Sequence, residues 1–201
     1  MRTSVIRAAI VAAVAVSCAW QHSPAVAASG QEAAQKEIFS TFGPWWDPEE
    51  LWWTTIMGVS SEKADQQGQA FAGMAFSPTE DVTLREIQLG VSYLSGRNVL
   101  SVTLRKNGDG VPGPVMREFT VADLKPWLCC VNQPTRVMLD QGQPLKAGRT
   151  YWLVLQAKHD TAVGWHLNSI SAHGIFASRE RNQAWLREDE FLLLALRLLG
   201  D

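Results

Sequence analysis

Short runs in which apolar and polar residues alternate, each closed by a turn signal, constrain the fold of this chain more than any other feature. Residues 87–93 (IQLGVSY) and 100–105 (LSVTLR) follow this pattern. A period of two places the apolar side chains on one face of a half-buried strand. The segments 95–98 (SGRN) and 107–110 (NGDG) are turn signals because Asn, Asp and Gly tolerate positive φ. An all-β fold is therefore predicted.

Further short apolar runs separated by Gly or Pro are predicted to be strands. They cover residues 71–76, 115–121, 136–139, 150–156 and 164–168. The run 191–199 (FLLLALRLL) suits either a helix or a closing strand, because its periodicity does not distinguish the two. One sheet could not bury this many apolar residues, whereas two facing sheets can. We therefore predict one antiparallel β-sandwich domain over residues 38–200.

The first 27 residues carry the features of a secretory signal peptide. Arg2 and Arg7 precede an apolar run at 8–16, and Ala25–Ala27 offers an A-x-A cleavage site. Residues 28–37 are polar and are predicted to be a linker. The run at 8–16 is too short to span a bilayer, and no later stretch is long enough, so no transmembrane helix is expected in the mature chain.

A second interpretation of this segment is lipidation. Residues 15–18 (AVSC) resemble a degraded lipobox, in which Cys18 would carry a lipid anchor and become the mature N-terminus. Both interpretations place the protein outside the cytoplasmic membrane, as a secreted, periplasmic or cell-surface protein.

Composition argues against several functional classes. The 18 Lys and Arg against 20 Asp and Glu give a formal net charge of −2, which disfavours a nucleic-acid partner. The three Cys cannot form a four-Cys zinc site, and no two His have the spacing of a local metal site. Hydrolase, metalloprotease and phosphate-loop motifs are missing from the sequence. We therefore expect no metal, no cofactor and no catalytic residue.

Tryptophan supplies the ligand-binding candidates. The chain has nine Trp, of which Trp45–Trp46 and Trp52–Trp53 form adjacent pairs. Indole rings offer large rigid surfaces on which sugar rings can stack. The alternative is that one member of each pair fills the core. His166 and Asn168 share one strand face, which is either a further binding surface or solvent-facing. A histidine satisfied within the protein, with no binding role, is the other interpretation of His166.

Cys129 and Cys130 are the only cysteines that remain after cleavage at residue 27. In an oxidising compartment they are predicted to form a vicinal disulfide. Two buried thiols or an intermolecular bridge are the alternatives.

Five segments together resemble a group of exported bacterial proteins called choice-of-anchor R domain proteins. They are 42–44 (FGP), 76–89 (FSPTEDVTLREIQL), 110–116 (GVPGPVM), 145–155 (LKAGRTYWLVL) and 165–169 (WHLNS). The resemblance covers residues 38–200 and implies a secreted, jelly-roll-like sandwich. It implies no reaction, and without a C-terminal apolar segment we expect no sortase-type anchoring.

These observations predict a non-catalytic extracellular module with a glycan as the favoured ligand. The alternative is an envelope or matrix component that binds other proteins. A glycoside hydrolase or lyase on a jelly roll is the third interpretation, and it would need two carboxylates that converge across a sugar.

Overall fold

The computed structural model describes residues 35–43, 52–61, 70–127, 129, 133–180 and 182–201. Within these ranges the chain forms thirteen β-strands and no helix. The strands are β1 Lys36–Ser40, β2 Trp52–Ser60, β3 Phe71–Phe76, β4 Val82–Leu89, β5 Val91–Ser95, β6 Val99–Gly108, β7 Val111–Ala122, β8 Thr135–Leu145, β9 Tyr151–Ala157, β10 Ala162–Asn168, β11 His173–Arg179, β12 Leu186–Leu192 and β13 Leu196–Gly200.

The N-terminal predictions fall almost entirely outside these ranges. The signal peptide at 1–27, including Cys18, and residues 28–34 of the linker lie outside the described residues. Strand β1 begins at Lys36, so the last two residues of the expected linker belong to the sheet.

The predicted all-β, antiparallel sandwich is confirmed. A six-stranded sheet has the order β12-β11-β3-β9-β6-β7, and the strands of the second layer have the orders β1-β13-β4-β8 and β2-β10-β5. Every ladder between these strands is antiparallel. The predicted turns at 95–98 and 107–110 connect β5 to β6 and β6 to β7, with positive φ at Gly96, Asn98, Asp109 and Gly110.

Gly90 corrects the prediction of one strand over 87–93. The structure divides this segment into β4 and β5, because Gly90 belongs to a junction of three strands. Its amide donates to the carbonyl of Ala195, the Ala195 amide donates to the carbonyl of His166, and the His166 amide donates to the carbonyl of Gly90. This closed set of hydrogen bonds joins the two groups of strands in the second layer.

The apolar run 191–199 is neither a helix nor one closing strand. Its first residues end β12, which pairs with β11 in the six-stranded sheet, and its last residues form β13, which pairs with β4 in the other layer. Leu193, Leu194 and Ala195 cross between the layers and are buried. A segment enclosed from all sides loses the alternation of a half-buried strand, which explains the ambiguous sequence pattern.

The main core lies between the layers. Met74, Leu104 and Leu153 of the six-stranded sheet belong to the same buried cluster as Ile87 and Leu198 of the opposite layer. A smaller cluster, containing Phe71, Ala75, Trp152, Val154 and Ala177, covers the other face of the six-stranded sheet. Strands β7 and β8 end their sheets and carry the site described next.

Candidate functional site

A cleft of about 550 Å³ lies beside the edge strands β7 and β8, and we call it the edge cleft. Its lining residues are Lys106, Asn107, Met116, Gln143, Pro144, Arg149, Thr150 and Tyr151. Tyr151 is buried and belongs to the main core, and Met116 packs against the same core. The floor of the cleft is therefore the rim of the sandwich interior. Its volume falls in the range of small-ligand sites in proteins.

Hydrogen bonds to neighbouring strands fix the walls of the edge cleft. The indole Nε1 of Trp152 donates to Asn107 Oδ1 at 3.0 Å, which holds the end of β6 against β9. The Tyr151 hydroxyl accepts from the amide of Lys146 at 2.9 Å, which closes the turn between β8 and β9. Gly148 in this turn has a φ of 67°, a conformation that favours glycine.

Asp81 anchors the same turn from outside the cleft. Its carboxylate accepts from Lys146 Nζ at 2.7 Å and from the Ala147 amide at 2.9 Å. These hydrogen bonds, with Lys146 the stronger cause, hold the pKa of Asp81 below its ordinary value. Asp81 is thus an ionised partner of the turn.

A second cleft of about 300 Å³ continues along the same pair of strands. It is lined by Arg117, Phe119, Met138, Leu139, Asp140, Gln141 and Gly142. Arg117 Nε donates to Gln143 Oε1 at 3.1 Å, so one hydrogen bond links the walls of the two clefts. An extended ligand could contact both clefts on either side of this bridge.

The edge cleft combines three kinds of chemistry. Asn107, Gln143 and Thr150 offer groups that both donate and accept hydrogen bonds. Pro144 and Tyr151 supply apolar surface. Lys106 and Arg149 add positive charge, and none of the described residues that line the cleft is Asp or Glu.

Of the four Trp candidates, Trp52 is the one whose side chain the structure describes. Trp45 and Trp46 lie outside the described residues, as does the side chain of Trp53. Trp52 is 5% exposed and packs against Phe42, with ring centroids 5.2 Å apart. Trp52 therefore fills the core, as the alternative interpretation expects of one member of each pair, and its role as a surface platform is corrected.

His166 and Asn168 do not lie on a binding or solvent-facing surface, which corrects that prediction. His166 instead fits the alternative of a side chain that is satisfied within the protein. Both side chains are buried. The connection between β12 and β13 forms backbone hydrogen bonds with both residues, from the Asn168 amide to the Leu193 carbonyl and from the Ala195 amide to the His166 carbonyl. His166 Nε2 lies 2.7 Å from the hydroxyl of Ser92. Asn168 is satisfied by backbone groups of the following turn and of Leu193. Both side chains therefore form their hydrogen bonds within the protein interior.

Cys129 is disulfide-bonded. Cys18 and Cys130, the only other cysteines, lie outside the described residues. Pairing of Cys129 with Cys130 stays a prediction.

A second aromatic surface covers the outer face of the six-stranded sheet. The guanidinium of Arg179 lies 4.2 Å from the ring centroid of Phe71 and 4.6 Å from that of Trp185. Because the cation occupies these ring faces, the group is better suited to capping the sheet than to stacking a sugar. Nearby, burial and then the charge of Arg179 lower the pKa of Arg105.

Among the residues that the structure describes, no group of three His, Cys, Asp or Glu side chains could hold a metal ion. In the same part of the chain, no helix is long and apolar enough to cross a membrane. Comparison with protein-family models, curated proteins and solved structures finds no match to this chain.

The lining of the edge cleft was not predicted from the sequence. Residues 149–151 lie inside the segment 145–155, and Asn107 begins the turn signal 107–110. Both segments are therefore visible in the sequence as structural motifs. What brings them together is the pairing of β6 with β9, which no local pattern indicates.

Proposed function

We propose that this protein is an exported, non-catalytic glycan-binding module and that the edge cleft is its binding site. The observation that carries the proposal is the lining of the cleft, in which Asn107, Gln143 and Thr150 stand around an apolar floor. A sugar presents hydroxyls that donate and accept, together with apolar C–H faces. Amide and hydroxyl side chains match the former, and Tyr151 with Pro144 matches the latter.

The same lining residues are the reason for proposing that the protein binds a glycan without cleaving it. Glycoside hydrolysis ordinarily uses two carboxyl groups about 5–10 Å apart across the scissile bond. Among the residues that the structure describes, the edge cleft has no Asp or Glu in its lining, and the second cleft has only Asp140. This arrangement supports recognition of a glycan over its cleavage.

The alternative function is binding of another protein. Its natural surface is the open edge of β7, which could accept an added strand. Pro112 and Pro114 lie in β7, and the register with β6 shifts twice near Arg105. Prolines and bulges are devices that oppose strand addition at an edge. These features favour the glycan proposal over a protein partner at this edge.

Export remains a proposal that depends on the sequence features of residues 1–27. Relationship to the choice-of-anchor R domain proteins is likewise proposed from the five segments that resemble them. Both agree with an extracellular glycan as the ligand class.

The proposal is tested by binding of the purified mature chain to a glycan array, followed by calorimetry with the retained oligosaccharide. We expect Gln143→Ala and Thr150→Val each to weaken binding about three- to tenfold, since each removes hydrogen bonds to the sugar. Gln133→Ala is the matched control, because Gln133 is exposed and lines neither cleft. Retention of no glycan, or equal affinity of all three variants, would contradict the proposal.

A further inference from the structure

Three cations that line the two clefts have no carboxylate partner in the described part of the chain. They are Lys106 and Arg149 in the edge cleft and Arg117 in the second cleft. Arg117 donates to Gln143, and none of the three forms an ion pair with a described residue. Their positive charge is therefore left for a ligand.

Most other described cations are paired. The pairs are Lys36–Glu80, Arg85–Asp201, Arg97–Asp160, Arg136–Glu86, Lys146–Asp81, Lys158–Glu118, Arg187–Asp189 and Arg197–Glu37. Outside the clefts, the exceptions among described residues are Arg105, Arg179 and the exposed Lys125. Of these, Arg179 lies over the rings of Phe71 and Trp185. The clefts thus collect unpaired positive charge on a chain whose formal net charge is −2.

We infer that the glycan bound in the edge cleft is acidic and carries uronate carboxylates or sulfate esters. This inference depends on the proposed function. Arginine presents a planar set of donors that matches carboxylate and sulfate oxygens, and charge-assisted hydrogen bonds are stronger than neutral ones. Lys106 and Arg149 would hold one acidic group, and Arg117 would meet a second group of the same chain beyond the Gln143 bridge.

The acidic side chains near these cations do not satisfy them. Asp81 is close enough to Arg149 for the two charges to interact, but its hydrogen bonds go to Lys146 and Ala147. Asp140 lines the second cleft without an ion pair to Arg117. Asp140 would repel an acidic ligand there, so the stronger anion-binding position is the edge cleft.

The experiment compares acidic probes with neutral partners of the same backbone. Calorimetry on the mature chain uses oligogalacturonate against its methyl ester, and sulfated dextran oligosaccharide against dextran. We expect the acidic member of one pair to bind at least about tenfold more tightly. The pair that shows the difference identifies the carboxylate or the sulfate as the acidic group.

Variants that remove one positive charge test whether the tighter binding of the acidic probe comes from the edge cleft. Lys106→Gln and Arg149→Gln should each weaken binding of the acidic probe about five- to twentyfold, a larger factor than the one by which they weaken binding of its neutral partner. Lys125→Gln is the control, because it removes the same charge from an exposed residue that lines neither cleft. Thermal unfolding of each variant checks that the fold is retained.

The possible outcomes distinguish failure of the inference from failure of the proposed function. Equal affinity for acidic and neutral members overturns the acidic preference and leaves glycan binding in place. An acidic preference that Lys125→Gln weakens as much as Arg149→Gln overturns the assignment to the cleft, since general electrostatic attraction would then explain it. Failure of every glycan to bind overturns both.

Discussion

At the scale of single residues, Glu86 is the clearest case of a buried charge that supports the sheet. Its side chain is 1% exposed and accepts from Arg136 Nε at 2.5 Å, from Arg136 Nη2 at 2.9 Å and from Gln88 Nε2 at 2.8 Å. The guanidinium of Arg136 and, to a smaller extent, the Gln88 amide hold the pKa of Glu86 below its ordinary value of 4.5, against the opposing effect of burial.

Replacing Glu86 with Gln should therefore make stability less dependent on pH. A carboxylate whose pKa is lowered by folding contributes stability above its ordinary pKa and loses it as the pH falls through the lowered value. We expect Glu86→Gln to lower the free energy of unfolding by about 1.5–3 kcal/mol near pH 7. This deficit should shrink near pH 3, as measured by urea denaturation.

The control for this prediction is Glu180→Gln, which changes an exposed carboxylate. A deficit of Glu86→Gln that has the same size near pH 7 and near pH 3 would show that its ionisation does not support the fold.

Asn168 illustrates a buried amide that organises a turn. Its Oδ1 accepts from the amides of Ile170 and Ala172, and its Nδ2 donates to the carbonyls of Ala172 and Leu193. Removing the side chain leaves buried backbone groups without partners. We expect Asn168→Ala to cost about 2–4 kcal/mol of unfolding free energy, and Gln183→Ala, on an exposed loop, to cost little.

Asn168→Asp refines this test. Aspartate keeps the acceptor for the two amides but turns a charged oxygen toward the two carbonyls. Its destabilisation in thermal melts should therefore be larger near pH 7 than near pH 4, where protonation restores a donor. A neutral effect of Asn168→Ala would contradict the role of this side chain in the fold.

At the scale of strands, the sequence pattern indicated the elements from β3 to β10, with β4 and β5 joined into one strand. It gave no indication of β1, β2 or β11, and it covered only the end of β12. Alternation at 100–105 and the turn signals around it indicate β6 and its hairpin, because local geometry decides them. The break at Gly90 and the crossing at 193–195 were missed because both depend on a junction of three distant strands. A Gly within an alternating run is the only local signal of that junction.

A side chain at position 90 should destabilise this junction. A Cβ there would lie 2.6 Å from Ala195 Cβ and 3.1 Å from the Trp52 ring. We expect Gly90→Ala to destabilise the protein by about 1–3 kcal/mol through overpacking. Denaturant unfolding of the double variant Gly90→Ala with Ala195→Gly tests this contact. Its free energy of unfolding should exceed the value expected from adding the two single effects by at least about 0.5 kcal/mol. Strict additivity would show that the two methyl positions do not collide.

At the scale of the whole molecule, the proposed binding site is a product of topology. The cleft draws residues from 106–107, 116, 143–144 and 149–151, which the pairing of strands brings to one edge of the sandwich. The Trp pairs and His166 were predicted as binding candidates because residue type can be read from the sequence without knowledge of the fold. Burial of Trp52 and His166 depends on what covers them, and the sequence pattern carries no such information.

Backbone amide NMR during titration with oligogalacturonate tests the central claim that the edge cleft is the binding site. We predict that the perturbed amides cluster at Lys106, Asn107, Gln143 and Arg149. Perturbations centred on Trp185 and Arg179, or none at saturating oligosaccharide, would contradict the account.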